Sequence, residues 1–346
     1  MQLIGKEFNK LQDNLSLFRN RDGSIIQLLI LMFVIIGIMT ISNPGLYLTW
    51  RNFEAIAFSF PQFGLLSIAI MVTMLSGGID LSVISTANLS GIVAAMILTT
   101  WIPAGAGSGQ VILVTTLAIV VAILVGLLCG IFNGMLITII KIPEILATLG
   151  TMQVFMGIAI VLTKGHAIVG FPEQLLFLGN DTLVGIPIPL IIFIATIFII
   201  TVILNKTAYG YELYMLGANR TAARFTGIRN NVILLRTYML SGCLSAIAGI
   251  MIISQTNSAK ADYGSSYLFP AIVVTVMGGV NPNGGVGRVF GVIIAILSMQ
   301  FLSSGFNMLR IGGSASNYVQ DIAWGSFLLL VMMINYWKNK KGGIRK

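Results

Sequence analysis

Residues 111–140 have the sequence VILVTTLAIVVAILVGLLCGIFNGMLITII, a run without a single charged side chain. An α-helix needs about 20 consecutive, mostly apolar residues to cross the hydrocarbon core of a bilayer. This segment is therefore long enough to span a membrane, and similar apolar runs recur between Ile25 and Tyr336. The sequence therefore predicts a fold built from a series of membrane-spanning helices.

The composition of the 346-residue chain supports this fold class, because 56% of its residues are hydrophobic and only 9% are charged. A soluble domain has about 25% charged residues. We predict an all-α, polytopic membrane protein with about ten spans. The predicted spans are 25–42, 54–76, 81–100, 111–140, 143–163, 184–204, 232–254, 267–280, 287–306 and 317–337. They form one transmembrane domain over residues 25–337, between a polar N-terminal segment at 1–24 and a basic tail at 338–346.

The distribution of Lys and Arg predicts the orientation of these spans. Four of the 20 basic residues fall in loops on one side of the predicted membrane, namely Arg51, Lys164, Lys260 and Arg310. All the others fall on the opposite side, which the positive-inside rule identifies as the cytoplasm. Both termini and the loop at 205–231 are thus predicted to be cytoplasmic, and the net charge of +9 requires no nucleic acid partner.

Signatures of enzymes and metal sites are absent from the sequence. There is no G-x-x-x-x-G-K-[ST] loop for nucleotide phosphates and no H-E-x-x-H motif, and the single histidine is His166. Cys129 and Cys243 both lie inside apolar runs, where they are expected to be core residues. We therefore predict no catalytic residue, metal ion or cofactor on this chain.

The predicted spans are also nearly free of charge. Asp80 and Asp321 are the nearest acidic residues, and both lie at predicted span ends. Proton- and sodium-coupled carriers usually place acids or histidines deep in the bundle, so this pattern disfavours an ion-coupled carrier. That alternative stays open, because backbone and hydroxyl oxygens can also hold sodium. A transporter without ion coupling would take its energy from a separate ATPase.

The segment Gly77-Gly78-Ile79-Asp80-Leu81-Ser82 joins the second and third predicted spans. Paired glycines permit a turn with positive φ, and Asp80 and Ser82 can cap the following helix at its positive end. Helix capping is the simpler interpretation of Gly77, Gly78, Asp80 and Ser82. A role in gating or solute contact is the alternative.

Other glycines indicate close helix packing. Gly126 and Gly130 fit the G-x-x-x-G pattern, as do Gly287 and Gly291, and small residues four apart let membrane helices approach closely. We expect these contacts to lie within the chain, and we expect glycines to interrupt the fourth span. The Gly-rich stretch 278–287 lacks lysine and predicts a tight re-entrant turn rather than a phosphate site.

Amide side chains inside or beside the apolar spans are the candidates for a polar pathway. An unpaired amide in hydrocarbon costs several kcal/mol, so each needs a partner, and hydrogen bonds between helices are the simplest assignment. A pathway for a polyhydroxylated solute would instead need some of them to face a wet cavity. The residues are Asn88, Asn133, Gln153, Gln255, Asn257, Gln300 and Asn307.

These motifs together resemble a sugar-type ABC importer permease, the ribose/galactose/autoinducer-2 family of bacterial inner-membrane subunits. The similar segments occur in the order 77–82, 133–134, 145–151 (ILATLGT), 217–228, 240–242 and 270–287. The resemblance implies two permease subunits, identical or different, a cytoplasmic ATPase that binds ATP, and a periplasmic solute-binding protein.

The basic loop at 205–231 resembles the ABC importer motif that couples a permease to its ATPase. It keeps the Ala-Ala-x-x-x-Gly portion, whereas Thr221 stands where the general motif has Glu and the downstream Leu-Pro is missing. The resemblance implies a knob of small residues that docks on the ATPase, with Arg220, Arg224 and Arg229 on a charged rim. The implied coupling residues are Gly217, Asn219, Ala222, Ala223, Arg224 and Gly227.

The solute is less well specified than the subunit type. Residues 185–189 and 257–271 look closest to autoinducer-2-type permeases, and pentose, hexose, deoxysugar and polyol permeases are similar. We expect the permease subunit of an ATP-driven importer for a small sugar or sugar-like signal in the bacterial inner membrane. The alternative is an ion-coupled secondary carrier for a small polar solute.

Overall fold

The computed structural model describes residues 25–103, 105–309, 322, 324–326 and 333, and these are predominantly helical. Eight helices among them are long and apolar enough to cross a membrane. The helices are α1 (Ile25–Ser42), α2 (Trp50–Leu75), α3 (Val83–Trp101), α4 (Ser108–Thr138), α5 (Glu144–Thr163), α6 (Glu173–Asn180), α7 (Ile188–Lys206), α8 (Ala208–Ala218), α9 (Arg220–Phe225), α10 (Asn230–Thr256), α11 (Leu268–Met277) and α12 (Val289–Leu309).

These helices confirm the predicted spans within the described residues. The eight long helices correspond to eight predicted spans, with ends that differ by a few residues, and the short predicted span 267–280 corresponds to α11. The predicted span 317–337 lies almost wholly outside the described residues, as do segments 1–24 and 338–346. The helices α6, α8 and α9 lie in segments that connect the predicted spans.

The connecting segments gather at two ends of the bundle. At the hairpin end, short strands form two antiparallel pairs, β1 (Ile168–Val169) with β4 (Ser258–Ala259) and β2 (Thr182–Leu183) with β3 (Ile186–Pro187). We call the other end of the bundle the α9 end. There the turns 76–82 and 278–288 contact the helices α8 and α9. The Gly285 N–H donates a hydrogen bond to the Leu75 carbonyl over 3.0 Å, which holds the second turn against the end of α2.

The helix α10 is the centre of the bundle and packs against α2, α3 and α4. An 18-residue stretch of α10 is 78% buried, whereas the corresponding stretches of α1, α4, α5 and α7 are 17–28% buried. The most buried helices, α2, α3 and α10, have mean hydropathies of 1.6–1.9, and the poorly buried α1, α4 and α7 have values of 2.7–3.1. The most apolar helices can face lipid, so the less apolar ones occupy the centre.

Glycines let α4 and α10 approach each other at the backbone. A side chain on Gly126 would meet the Gly242 carbonyl, and one on Gly130 would meet the Tyr238 carbonyl. This confirms the predicted packing within the chain. The predicted interruption of this span is wrong, because α4 is one continuous helix. Its glycine face lies against α10, which covers the backbone there.

The predicted tight turn between α11 and α12 is confirmed. Gly279 and Gly284 have φ angles of +87° and +89°, which residues with a Cβ atom rarely adopt. Gly291 packs directly on the Gly278 carbonyl, so the second G-x-x-x-G pattern also acts in contacts within the chain.

Candidate functional site

Capping at both ends fixes α9 as a short, well-defined helix. The Asn219 carboxamide oxygen accepts hydrogen bonds over 3.0 Å from the N–H groups two and three positions further along, which caps the N-terminus. At the C-terminus Gly227 has a φ of +86°, and Ile228 donates its N–H to the Ala223 carbonyl over 3.2 Å. Helices commonly end in this way at glycine, so the sequence itself sets both limits of α9.

The two faces of α9 differ sharply in burial. Ala223 is fully buried against the bundle, whereas Phe225 is 88% exposed, and Ala222 and Arg224 are exposed beside it. The sequence analysis did not single out Phe225. The available signal was one large aromatic residue in a segment whose other side chains are small or polar.

The predicted coupling residues therefore divide by position. Those at the surface of α9 or just beyond its end are Ala222, Arg224 and Gly227. Gly217 instead packs against the Leu75 carbonyl with no room for a side chain, and Ala223 has no exposed surface. Gly217 and Ala223 therefore position α9 against the bundle, and their part in ATPase coupling stays a prediction.

The Arg220 side chain contacts the ends of two other helices. Its guanidinium forms an ion pair with Glu144, the first residue of α5, and donates a hydrogen bond over 3.2 Å to the Ser76 carbonyl at the end of α2. The side-chain exposure is 43% for Arg220 and 15% for Glu144. Arg224 and Arg229 are also exposed, and of these three arginines only Arg220 forms an ion pair with another helix among the described residues.

Asp80 lies in the turn between α2 and α3 and is 2% exposed. One carboxylate oxygen accepts hydrogen bonds from the Ser82 N–H over 3.0 Å and from the Ser82 hydroxyl over 2.6 Å. The other accepts a hydrogen bond from the Ser241 hydroxyl over 2.8 Å. Ser82 also accepts a hydrogen bond from the Asn133 side chain over 2.7 Å. This Asp80 network ties the start of α3 to α4 and α10.

The network corrects the helix-capping interpretation. Ser82 is the N-cap residue of α3, but its backbone is not extended and its side chain makes no capping hydrogen bond. The Asp80 carboxylate likewise bonds to Ser82 and Ser241 instead of the first turn of α3. Gly77 is required by its φ of +87°, and a side chain on Gly78 would collide with the Tyr238 hydroxyl.

Burial and hydrogen bonding act on Asp80 in opposite directions. Burial raises the pKa of its carboxyl, and the hydrogen bonds from Ser82 and Ser241 lower it. Beside the network, the Tyr238 hydroxyl and the side-chain oxygen of Asn133 are buried without a hydrogen-bond partner among the described residues. A buried polar atom without a partner is costly.

Most of the predicted pathway amides bond to the protein itself. Hydrogen bonds to other parts of the chain hold Asn88, Asn133, Gln255, Asn257 and Gln300. The bonds of Gln255 and Gln300 join helices, as the simpler assignment expected. Those of Asn88 and Asn257 instead involve loop backbone. Gln153 lies exposed on α5, and Asn307 lies exposed near the end of α12.

A cavity of about 630 Å³ lies at the hairpin end between α2 and α12. Its polar side chains are Thr49, Arg51, Asn52, Ser59, Gln300, Ser304 and Asn307. Gln300 donates to the Ser59 hydroxyl over 2.8 Å, and Ser304 donates to the Asn52 side-chain oxygen over 2.6 Å. Amides and hydroxyls of this kind can exchange hydrogen bonds with a polyhydroxylated solute.

No group of three or more His, Cys, Asp and Glu side chains suited to a metal ion occurs in the described part of the chain. Cys129 is buried and Cys243 is partly buried, both as free thiols. They lie on α4 and α10, respectively.

Comparison with known proteins identifies the family. Residues 52–336 match the family described as the branched-chain amino acid transport system permease component. The autoinducer 2 import system permease protein LsrD of Yersinia enterocolitica is 30% identical over 322 residues, which cover 90% of this chain and 92% of the relative. The ribose import permease protein RbsC of Bacillus subtilis is 33% identical over 311 residues, which cover 89% and 91%. No solved structure matches the chain.

The matched region contains the helices α2 to α12, and therefore both the Asp80 network and α9. The resemblance predicted from the ordered motifs is confirmed by these relatives over about nine-tenths of the chain. The chain belongs to this family of permease components and is a multi-pass membrane transport subunit.

Proposed function

We propose that this chain is the permease subunit of an ATP-driven importer that moves a small sugar or sugar-like signal across a bacterial inner membrane. A separate cytoplasmic ATPase binds and hydrolyses the ATP, a periplasmic binding protein delivers the solute, and a second permease subunit completes the pathway. The observation that carries the proposal is α9, a capped helix that exposes a large aromatic side chain at one end of the bundle.

Phe225 is the main residue-level support for ATPase docking. Aromatic side chains that become buried often dominate the energy of protein interfaces, and Phe225 is 88% exposed in this chain. The small side chain of Ala222 lets a partner approach closely, and Arg224 adds charge at the edge. Because Asn219 and Gly227 fix both ends of α9, docking orders few additional residues.

The sidedness of the protein follows from its basic residues. Those at the α9 end include Lys141, Arg224 and Arg229, and such clusters favour the cytoplasmic side. A cysteine at Arg224 is expected to react only with reagents that reach the cytoplasm, and a cysteine at Lys164 only with reagents added outside. Labelling of both positions from the same side would contradict this orientation and both cytoplasmic termini.

The exposed face of α5 supports a second permease subunit. The mean hydropathy of α5 is 2.1, close to the value of 1.9 for α2. An 18-residue stretch of α5 is nevertheless only 28% buried, whereas the corresponding stretch of α2 is 72% buried. Gln153 lies on the exposed face, and a side chain added at Gly150 would meet nothing within 4 Å. A polar amide is costly in lipid, so another permease packed on this face explains its composition.

The solute class rests on the relatives and on the cavity at the hairpin end. The two relatives described above are named for import of autoinducer 2 and of ribose. The cavity supplies the amides Gln300 and Asn307 and the hydroxyls Ser59 and Ser304. Together these observations favour a small solute rich in hydroxyl groups.

An ion-coupled carrier is the second candidate, and Asp80 is the observation in its favour. A buried carboxylate is a common ion or proton site in carriers. The three hydrogen bonds that Asp80 accepts favour a role in joining helices. The turn with Gly77, Gly78, Asp80 and Ser82 remains a candidate gate, supported by the unpaired polar atoms of Tyr238 and Asn133.

Replacement of Phe225 tests the proposed docking surface. The Phe225→Ala variant should fold normally, because the side chain is largely outside the bundle, and its apparent affinity for the ATPase should fall by about 30-fold, as for an interface hot spot. Tyr211→Ala on α8 is the matched control, since Tyr211 is also an exposed aromatic residue at 68%. Unchanged co-purification of the ATPase with Phe225→Ala would exclude α9 as the docking site.

A further inference from the structure

We propose that Arg220 is a positioning residue that transmits movement of α9 to α5 through its ion pair with Glu144. The inference rests on the proposed function, because it assumes that an ATPase moves α9. The sequence predicted Arg220 on the charged rim, and in the structure its guanidinium also bonds to the ends of α5 and α2.

Arg220 stands where four helices meet. It is the first residue of α9, and its guanidinium pairs with Glu144 at the start of α5. The same group donates to the Ser76 carbonyl at the end of α2 over 3.2 Å. The Arg220 carbonyl accepts a hydrogen bond over 2.8 Å from the side chain of Asn230, the first residue of α10. A displacement of α9 therefore acts on all three neighbours.

The end of α5 that begins at Glu144 is suited to follow such a displacement. The helix packs mainly against α3, and its exposed face carries Gln153. Near the same end, the Thr148 hydroxyl donates to the Ile79 carbonyl over 3.0 Å. This bond attaches α5 to the turn 76–82, so the ion pair and the Thr148 bond form a path from α9 through α5 to the segment that holds Asp80.

The ion pairs of the described residues differ in what they join. Arg220 and Glu144 belong to separate helices and lie 76 positions apart in sequence. Lys260 and Asp262 pair over 2.9 Å within one loop at the hairpin end, and both are about half exposed. The Lys260–Asp262 pair therefore supplies a matched control for a test.

The test follows α5 directly with a nitroxide spin label. The label is attached through Gln153→Cys in a permease whose Cys129 and Cys243 are replaced by Ala. The permease–ATPase complex, at saturating ATPase, is compared without nucleotide and after trapping with Mg-ATP and vanadate. The parent complex should show a change in label mobility. Glu144→Gln and Arg220→Gln should each reduce that change at least about fivefold, the size of a modest coupling between sites.

Rescue variants separate coupling from folding. The double variant Glu144→Arg/Arg220→Glu, which exchanges the two charges, should recover about half or more of the response, as expected for two interacting residues. Arg220→Lys should do the same. Asp262→Asn breaks the ion pair at the hairpin end and should keep the full response.

The outcomes distinguish this inference from the proposed function. A full response in both single variants would overturn the role of Arg220 and leave ATPase docking standing. Loss in the single variants without recovery in either rescue variant would assign the effect to folding and also overturn it. If the parent permease binds no ATPase, or shows no response to trapped nucleotide, the proposed function fails first and the inference fails with it.

Discussion

The helices α10 and α5 show how a less apolar helix comes to lie at the centre of this membrane protein. The mean hydropathy is 1.7 for α10 and 2.1 for α5, yet the buried share is 78% for α10 and 28% for α5. In water the hydrophobic effect would favour the opposite order. In lipid, apolar side chains gain little by leaving the hydrocarbon, whereas small and polar residues gain close contacts and hydrogen bonds from neighbouring helices.

The largest expected loss of stability comes from adding one methyl group to α10, at a glycine that contacts the backbone of α4. Gly242→Ala in α10 places a Cβ against the Gly126 carbonyl, and backbone cannot move aside as a side chain can. The free energy of unfolding should fall by about 3 kcal/mol, the upper end for overpacking.

Gly150→Ala in α5 is the control for that substitution, because a Cβ there meets nothing within 4 Å. Its unfolding free energy should change by less than about 0.5 kcal/mol. The two variants are compared by thermal unfolding in the same detergent. Similar losses in both would break the contrast between the two helices.

An intermediate effect is expected within the Asp80 network at the centre. Asp80→Asn keeps one oxygen acceptor but turns an N–H group toward a hydroxyl, and it removes the charge that strengthens the bonds from Ser82 and Ser241. Loss of hydrogen bonds to a charged group predicts destabilisation by about 2 kcal/mol. Ser241→Ala removes one donor and should cost about 1 kcal/mol. Thermal unfolding of both variants, with solute uptake measured beside it, checks the order.

Solute uptake by the Asp80→Asn variant tests whether the turn 76–82 has another role. Normal stability of Asp80→Asn together with lost uptake would show that Asp80 acts in gating and not in joining helices. The same outcome would weaken the view that polar residues are central in this chain because they hold helices together.

The spans could be predicted from the sequence because a bilayer imposes length and hydropathy on any helix that crosses it. The role of Asp80 could not be predicted in the same way. Its local sequence, Asp80-Leu81-Ser82, is typical of a helix start, and its decisive partner, Ser241, lies 161 positions away. A capping pattern and a link between helices look alike until the distant helix is in place.

The glycines of α4 illustrate the same limit. Glycine lowers helix propensity, so the sequence of the fourth span predicted an interruption. The structure shows a continuous helix, because the face with Gly126 and Gly130 is where α10 approaches most closely. Local propensity was overruled by a tertiary contact that only the folded chain reveals.

The sequence also gives no means of separating Ala222 from Ala223, which are identical neighbours on α9. The structure separates them by face, because Ala223 is fully buried and Ala222 is exposed. Two adjacent residues thus differ in burial, as the helices α10 and α5 do.

The smallest expected effect on stability uses this pair. Ala223→Leu should lower the free energy of unfolding by about 1 kcal/mol, because a short surface helix can shift to relieve part of the overpacking. Ala222→Leu should leave stability unchanged and weaken ATPase binding, since its larger side chain would separate the partner from Phe225. Thermal unfolding and co-purification of the ATPase are measured for both variants. If Ala222→Leu unfolds early and binds the ATPase normally, the assignment of the two faces is reversed, and the outward surface of α9 must be sought on the Ala223 side.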